Sequence, residues 1–200
     1  MPSADYFAQL GLLVVRDFLD DQSCANYRLE MRSGALIPAT VVESGISVEQ
    51  ESSRKTKWSD VSEQSLSDLN RRLRALKPGM ERHFDLSLND FERPQFLIYE
   101  PGDFYRFHTD CDEYSVTPEY IKKRRVSVVI FLNDEKGSAA DTYSGGALTF
   151  YGLMDDARWK KFGLPIASEQ GMLVAFRSEI THEVTPVTKG ERCSIVSWFF

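Results

Sequence analysis

Three histidines occur in 200 residues, and two of them stand where they can do chemistry. His108 opens the triplet His108-Thr109-Asp110, and His182 lies in Ile180-Thr181-His182-Glu183-Val184. In an extended segment residues two apart project to one face, so the His108 imidazole and the Asp110 carboxylate point at a common target. A later strand carrying His182 alongside them completes a set of two imidazoles and one carboxylate. That set covers one face of an octahedron and leaves about three positions open, which suits non-haem Fe(II) oxygen chemistry. The residues alone leave an alternative, two strand histidines hydrogen-bonded in a polar rim. Arg192 follows ten positions after His182, beyond the turn Thr188-Lys189-Gly190, and shares one face of the last strand with Ser194, Val196 and Trp198. A guanidinium inside a strand sandwich needs a partner. A dicarboxylate ligand would supply one through bidentate pairing, and so would a local Asp or Glu.

These residues require a β scaffold, and the second half of the chain reads as one. Residues 95–100 (QFLIYE), 125–133 (RVSVVIFLN), 147–151, 171–177 and 193–200 (CSIVSWFF) are rich in β-branched and aromatic residues and are separated by Gly, Asp and Pro clusters. Five such segments predict an antiparallel sandwich or barrel, with helices from residues 1–93 backing one sheet. In that first part Gly11-Leu12-Leu13-Val14-Val15 reads as a strand. Asp20 or Asp21 then caps a helix carrying Cys24, Tyr27 and Met31, which ends at Ser33-Gly34. A second helix starts from Asp60 with Glu63, carries the stripe Leu66, Leu69, Leu73 and Leu76, and is expected to stop at Lys77-Pro78-Gly79, leaving His83 on the surface beyond it. Residues 36–58 are polar and without a clear period, and residues 153–168 read as an insertion holding a short helix.

The length fits one domain over 1–200, with helical support in about 1–93 and a metal-bearing core in about 95–200. With 24 Lys+Arg against 30 Asp+Glu the net charge is −6, which argues against a nucleic-acid partner bound through phosphates. No apolar run approaches the length of a membrane span. The first residues lack the pattern of an export signal, and three cysteines without paired spacing suit a reducing compartment, so the expected location is cytoplasmic.

The order His108, Asp110, a long gap, His182 and then Arg192 resembles the 2-oxoglutarate- and Fe(II)-dependent dioxygenase superfamily, in its prolyl 4-hydroxylase α-subunit-like branch. The context is similar too, in Tyr99-Glu100-Pro101-Gly102-Asp103-Phe104-Tyr105 before His108, in residues 126–134 (VSVVIFLND), in Ser144-Gly145-Gly146-Ala147-Leu148-Thr149-Phe150, and in His182-Glu183-Val184-Thr185-Pro186. The resemblance implies a mainly β fold with supporting helices around a double-stranded β-helix, the jelly-roll or cupin-like core. It implies Fe(II) held by His108, Asp110 and His182, and 2-oxoglutarate whose distal carboxylate Arg192 grips. Tyr99 stands where the family often adds a hydroxyl, and Phe131 where some relatives place a second tyrosine. The implied reaction is hydroxylation of an unactivated C–H with O2, releasing succinate and CO2, with L-ascorbate as a candidate reductant.

The branch points to a prolyl residue of a peptide or protein, or to a free amino acid. A small-molecule oxygenase of secondary metabolism and a non-catalytic metal- or ligand-binding jelly-roll are the rival readings. Candidate substrate contacts are Arg54, Trp58, Tyr105, Arg106 and Arg177, each of which also reads as surface charge or packing. Residues 111–124 and 153–168 flank the expected mouth as candidate lids, and Cys111 reads as a spectator. Asp110 sets the chain apart from the carboxylate-lacking halogenases. Trp198 stands where nucleic-acid demethylases carry a second arginine, so no nucleic-acid substrate is expected.

Overall fold

Side chains alternate between two environments along β9 (Val126–Phe131) and β16 (Arg192–Phe199), and this alternation builds the molecule. In β9, Val126 and Ile130 face a helix-covered core, while Val129 and Phe131 face the space between two sheets. In β16, Cys193, Ile195 and Phe199 join the helix side, leaving Arg192, Ser194, Val196 and Trp198 on the opposite face. The computed structural model describes residues 4–43, 46–48, 52–112, 117–136, 141–154 and 162–200.

The remaining strands are β1 (Leu12–Val15), β2 (Ile37–Pro38), β3 (Val41–Glu43), β4 (Ile46–Val48), β5 (Arg54–Lys55), β6 (Lys57–Ser59), β7 (Gln95–Tyr99), β8 (Phe104–His108), β10 (Ser144–Gly145), β11 (Leu148–Phe150), β12 (Leu164–Ile166), β13 (Leu173–Arg177), β14 (His182–Val184) and β15 (Val187–Lys189). A seven-stranded sheet runs β1-β13-β9-β16-β7-β6-β2, and a five-stranded sheet runs β12-β11-β14-β8-β5. Their pairings are antiparallel, and the chain passes back and forth between the sheets, giving a mostly β jelly-roll core. Phe131, Phe150, Phe176, Leu148 and Val174 fill one end of the space between them. Short strands at β2–β6 resolve part of the region the sequence leaves patternless.

Among the described residues four helices accompany the sheets: α1 (Ala4–Gln9), α2 (Asp21–Ser33), α3 (Glu63–Phe84) and α4 (Glu119–Lys122). Asp20 caps α2 by accepting from the Ser23 N–H at 2.7 Å. α3 departs from expectation at both ends. Its cap is Ser62, whose hydroxyl accepts from the Ser65 N–H, while Asp60 pairs with Arg93. The helix also runs through Pro78 and Gly79 to Phe84. An interior proline costs a helix about 3 kcal/mol. Continuing buries Met80 and Phe84 against the outer face of the large sheet, worth about 1.5–3 kcal/mol each, so burial wins. His83 is therefore a half-buried residue of the last turn, edge-on to Phe84, and not a surface residue beyond the helix. In the 153–168 insertion, 155–161 lie outside the described residues, and the described remainder contributes β12. No helix among the described residues is long and apolar enough to cross a membrane.

Asn133, 1% exposed at the end of β9, clamps the entry to β16. Its amide donates to the Asp141 and Glu191 carbonyls at 2.8 and 2.7 Å, and its Oδ1 accepts from the Cys193 N–H at 3.0 Å. Arg192 is thus fixed through both chain neighbours. Asn133→Ala should lower the unfolding free energy by about 1–3 kcal/mol, because it strands the buried Cys193 N–H and removes the donor from two part-buried carbonyls. Urea denaturation followed by circular dichroism measures the loss.

Candidate active site

Antiparallel pairing of β14 with β8 sets His182 directly opposite His108. The rings lie 4.1 Å apart, centroid to centroid. Asp110 follows two residues after β8, held by its N–H donating to the Ser178 carbonyl at 2.9 Å. Its Oδ1 is 3.6 Å from His108 Nε2, and its Oδ2 is 3.5 Å from His182 Nε2. One ligand atom from each of the three lies within 4.8 Å of the others.

The hydrogen bonds behind the rings decide what this cluster is. His108 Nδ1 lies 2.7 Å from the Arg106 carbonyl, and His182 Nδ1 lies 2.9 Å from the Ile180 carbonyl. A carbonyl only accepts, so each Nδ1 carries a proton and each Nε2 is the ring nitrogen turned toward Asp110. Burial, reinforced by His182, pushes the His108 pKa down to about 3, so this ring is neutral at physiological pH. Burial alone would raise the Asp110 carboxyl, but His182, His108 and the Ser127 hydroxyl outweigh it and hold its pKa below the usual value. Two imidazole Nε2 atoms and one ionised carboxylate therefore converge on one point. That is the donor set of a divalent cation, which satisfies all three at once and displaces any proton held on a ring.

A β-bulge shapes the wall beside the cluster. His182 pairs with His108 while Val184 pairs with Tyr105, so β8 fits one more residue than β14 between the two pairs. Residues three apart would otherwise face opposite sides of the sheet. The bulge instead puts Tyr105 and His108 on one face, stacked at 3.6 Å and 15°, and leaves Arg106 and Phe107 outside. The cavity they border, about 440 Å³ with its opening to solvent included, reaches from the metal-type cluster to Arg192.

Arg192 is 1% exposed. Its Nη1 donates to the Ser194 hydroxyl at 2.8 Å, and its Cζ lies 5.0 Å from the Tyr99 ring and 5.2 Å from the Phe131 ring. Its buried Nε has no partner, and no carboxylate among the described residues lies within ion-pair distance. The alternative of a local Asp or Glu thus fails among these residues. An orphaned guanidinium at the end of a cavity fits the distal carboxylate of a 2-oxo diacid. Gly146, at φ +64°, makes room for it, since a Cβ there would come within 3.0 Å of Arg192 Cδ. Sequence reasoning misses Tyr143, a buried hydroxyl that hydrogen-bonds Ser168 and faces the Arg192 charge. Its signal is only its place just before the Ser144-Gly145-Gly146 turn.

Of the candidate substrate contacts, Arg54 and Tyr105 line the cavity. Arg106 turns outward, its Nε donating to the Ser52 carbonyl at 2.5 Å. Arg177 reaches the Phe84 carbonyl and Glu179. Trp58 packs on β6 in the cluster of Leu97, Tyr99 and Val187 and does not line the cavity. Trp198 does line it, with the Arg124 guanidinium 3.8 Å from its ring. Arg124 is itself held bidentately by Glu92 at 2.6 and 2.7 Å. In the candidate lid 111–124, residues 113–116 lie outside the described residues.

A family model described as the 2OG-Fe(II) oxygenase superfamily matches residues 94–200, more than half of the chain and all of the strands that carry the cluster. The chain belongs to the 2OG-Fe(II) oxygenase superfamily. Among curated relatives, a PKHD-type hydroxylase of Shewanella sp. (strain ANA-3) is 32% identical over 108 residues, 54% of this chain. A PKHD-type hydroxylase of Sphingopyxis alaskensis is 34% identical over 105 residues, 52% of this chain. The match spans 42% of the length of each of these relatives. The crystal structure of a Pseudomonas putida prolyl-4-hydroxylase superposes with a TM-score of 0.71 at 28% identity, covering 98% of this chain and 96% of that one. A prolyl hydroxylase from Trichoplax adhaerens, solved with a hypoxia inducible factor peptide fragment, shares the fold at TM-score 0.72 and 17% identity, covering 98% of this chain and 86% of that one.

Asp110→Ala removes the carboxylate from the convergent set. It should weaken Fe(II) or Co(II) binding by more than about 100-fold, beyond the roughly 10–100-fold expected from losing an outer partner alone. Metal retention after gel filtration, with circular dichroism to verify the fold, gives the result.

Proposed function

We propose that the protein is an Fe(II)- and 2-oxoglutarate-dependent hydroxylase acting on a prolyl residue or an amino acid. The observation that carries this reading is the pairing, in one cavity, of a convergent His-Asp-His cluster with a buried arginine that has no carboxylate of its own among the described residues. We read residues 1–200 as one such oxygenase domain. The Pseudomonas putida prolyl-4-hydroxylase likeness supports the prolyl class, and the net charge of −6 with Trp198 on the cavity wall speaks against nucleic acid. Three cysteines without paired spacing, Cys24, Cys111 and Cys193, support a reducing, cytoplasmic setting.

His108, Asp110 and His182 would hold the iron, and Arg192 the distal carboxylate of 2-oxoglutarate. When bound, iron and 2-oxoglutarate supply with O2 the oxidising power that hydroxylates an unactivated C–H, releasing succinate and CO2, with L-ascorbate as the reductant. The residues of the chain orient and exclude. The Arg106 and Ile180 carbonyls hold the Nδ1 side of both imidazoles, so both Nε2 atoms stay turned toward the metal position. Asn133 and the glycine at 146 fix the depth of Arg192. Leu148, Val184 and Val196 keep the walls between the two ends apolar and dry.

Anaerobic addition of Fe(II) and then 2-oxoglutarate should produce a visible charge-transfer band in the wild type. Arg192→Met should weaken 2-oxoglutarate binding about 30-fold or more while metal binding stays intact, as expected for a buried charge pair that loses one member. In that variant pyruvate, which lacks the distal carboxylate, should bind about as well as 2-oxoglutarate. Absence of any band in a wild-type protein that also retains no metal would sink the proposal.

A further inference from the structure

Four buried arginines are found among the described residues: Arg28, Arg54, Arg124 and Arg192. Arg28 has Asp141 and Arg124 has Glu92. Arg192 awaits the cosubstrate on the reading above. Arg54 is left over.

Arg54 sits on β5, paired in register with Tyr105 and 9% exposed. Its Nη1 donates to the Thr40 carbonyl at 3.0 Å, its Cζ lies 4.7 Å from the Tyr105 ring, and its buried Nε has no partner. No carboxylate among the described residues lies within ion-pair distance of Arg54, while the lysines on either side, Lys55 and Lys57, pair with Asp103 and Glu100. Tyr105 in turn stacks on His108, so the guanidinium stands one ring beyond a metal-ligand candidate, inside the same cavity.

Charge balance then identifies the missing partner. A divalent cation with Asp110, and a doubly negative 2-oxoglutarate with Arg192, leave no net charge among them. Among the described residues Arg54 then remains as one largely buried positive charge without a carboxylate, where an unpaired charge is costly. A peptide carbonyl could accept one of its hydrogen bonds but would leave that charge standing. A carboxylate fills the guanidinium fork bidentately and cancels it.

We infer that Arg54 receives a carboxylate carried by the substrate, so the substrate is a free α-amino acid or the C-terminal residue of a peptide and not an internal residue. This rests on the hydroxylase reading for the assignment of Arg192.

The test compares wild type, Arg54→Met and Arg54→Lys. First, the apo-proteins are melted. An unpaired guanidinium predicts that Arg54→Met melts at the same or a higher temperature, and a fall of several degrees overturns the inference by making Arg54 a structural residue. Second, protein loaded with Mn(II) and 2-oxoglutarate is titrated with amino acids, proline included, each as the free acid and as the primary amide. N-acetylated forms of both distinguish a peptide terminus from a free amino acid. At least one acid should bind tenfold or more tightly than its amide in wild type. That preference should vanish in Arg54→Met and survive in part in Arg54→Lys, with 2-oxoglutarate affinity unchanged. No acid–amide preference anywhere in the panel overturns the inference. Failure of wild type to bind 2-oxoglutarate with metal overturns the hydroxylase reading instead, and the melting comparison still decides the role of Arg54.

Discussion

The convergence of two imidazoles and one carboxylate on a single point is the constraint around which this molecule is arranged. His108, Asp110 and His182 bring their ligand atoms within 4.8 Å of one another from two strands far apart in sequence. What holds them there is the rest of the fold. Backbone carbonyls anchor the two rings from behind, the Ser178 carbonyl holds the Asp110 backbone, and the antiparallel register of β14 on β8 sets one imidazole across from the other. The apolar filling between the sheets and the helix-backed core on the far side hold that register in place. A donor set held in position by the fold in this way needs little rearrangement to take a cation, which is the usual relation between a rigid binding site and its ligand.

The second organising feature is the separation of paired from unpaired arginines. Arg28 and Arg124 sit with acids at the margins of the sheets and act as cross-braces, the first tying α2 to the end of β9 and the second joining Glu92 to the Trp198 wall. Arg192 and Arg54 face inward without acids, at different parts of one cavity. The same side chain thus serves as a brace where its counter-charge belongs to the chain and as a receptor where it does not. Burial alone does not distinguish the two uses, and the partner list does.

Much of this is legible before any coordinates. Alternation in residues 125–133 and 192–199 already places Val129 and Phe131 opposite Val126 and Ile130, and puts Arg192, Ser194, Val196 and Trp198 on one face, because a strand has a period of two and the sheet is buried on both sides. The His-x-Asp triplet and the later histidine are legible for the same reason. Features that depend on tertiary context are not. Pro78 reads as a helix stop, since the sequence does not show that Met80 and Phe84 have a core waiting for them. Arg106 and Arg54 look alike as candidate contacts, yet one turns to solvent and the other into the cavity. Tyr143 comes from a turn without period, so no pattern predicts that its hydroxyl meets Arg192.

The bulge in β8 has a bearing on how such a chain can diversify. One strand carries a metal-ligand candidate at its end and a cavity-wall residue three positions earlier, and the additional residue between them acts as a phase shifter. Removing either Arg106 or Phe107 would leave a single residue between Tyr105 and His108, so Tyr105 would still pair with Val184 and face the cavity, with His108 in unchanged register. A single indel here therefore alters only the outward surface of β8 and leaves the cavity wall and the centre in place. The length of this short strand and the chemistry of the cavity it lines are in this sense separately heritable.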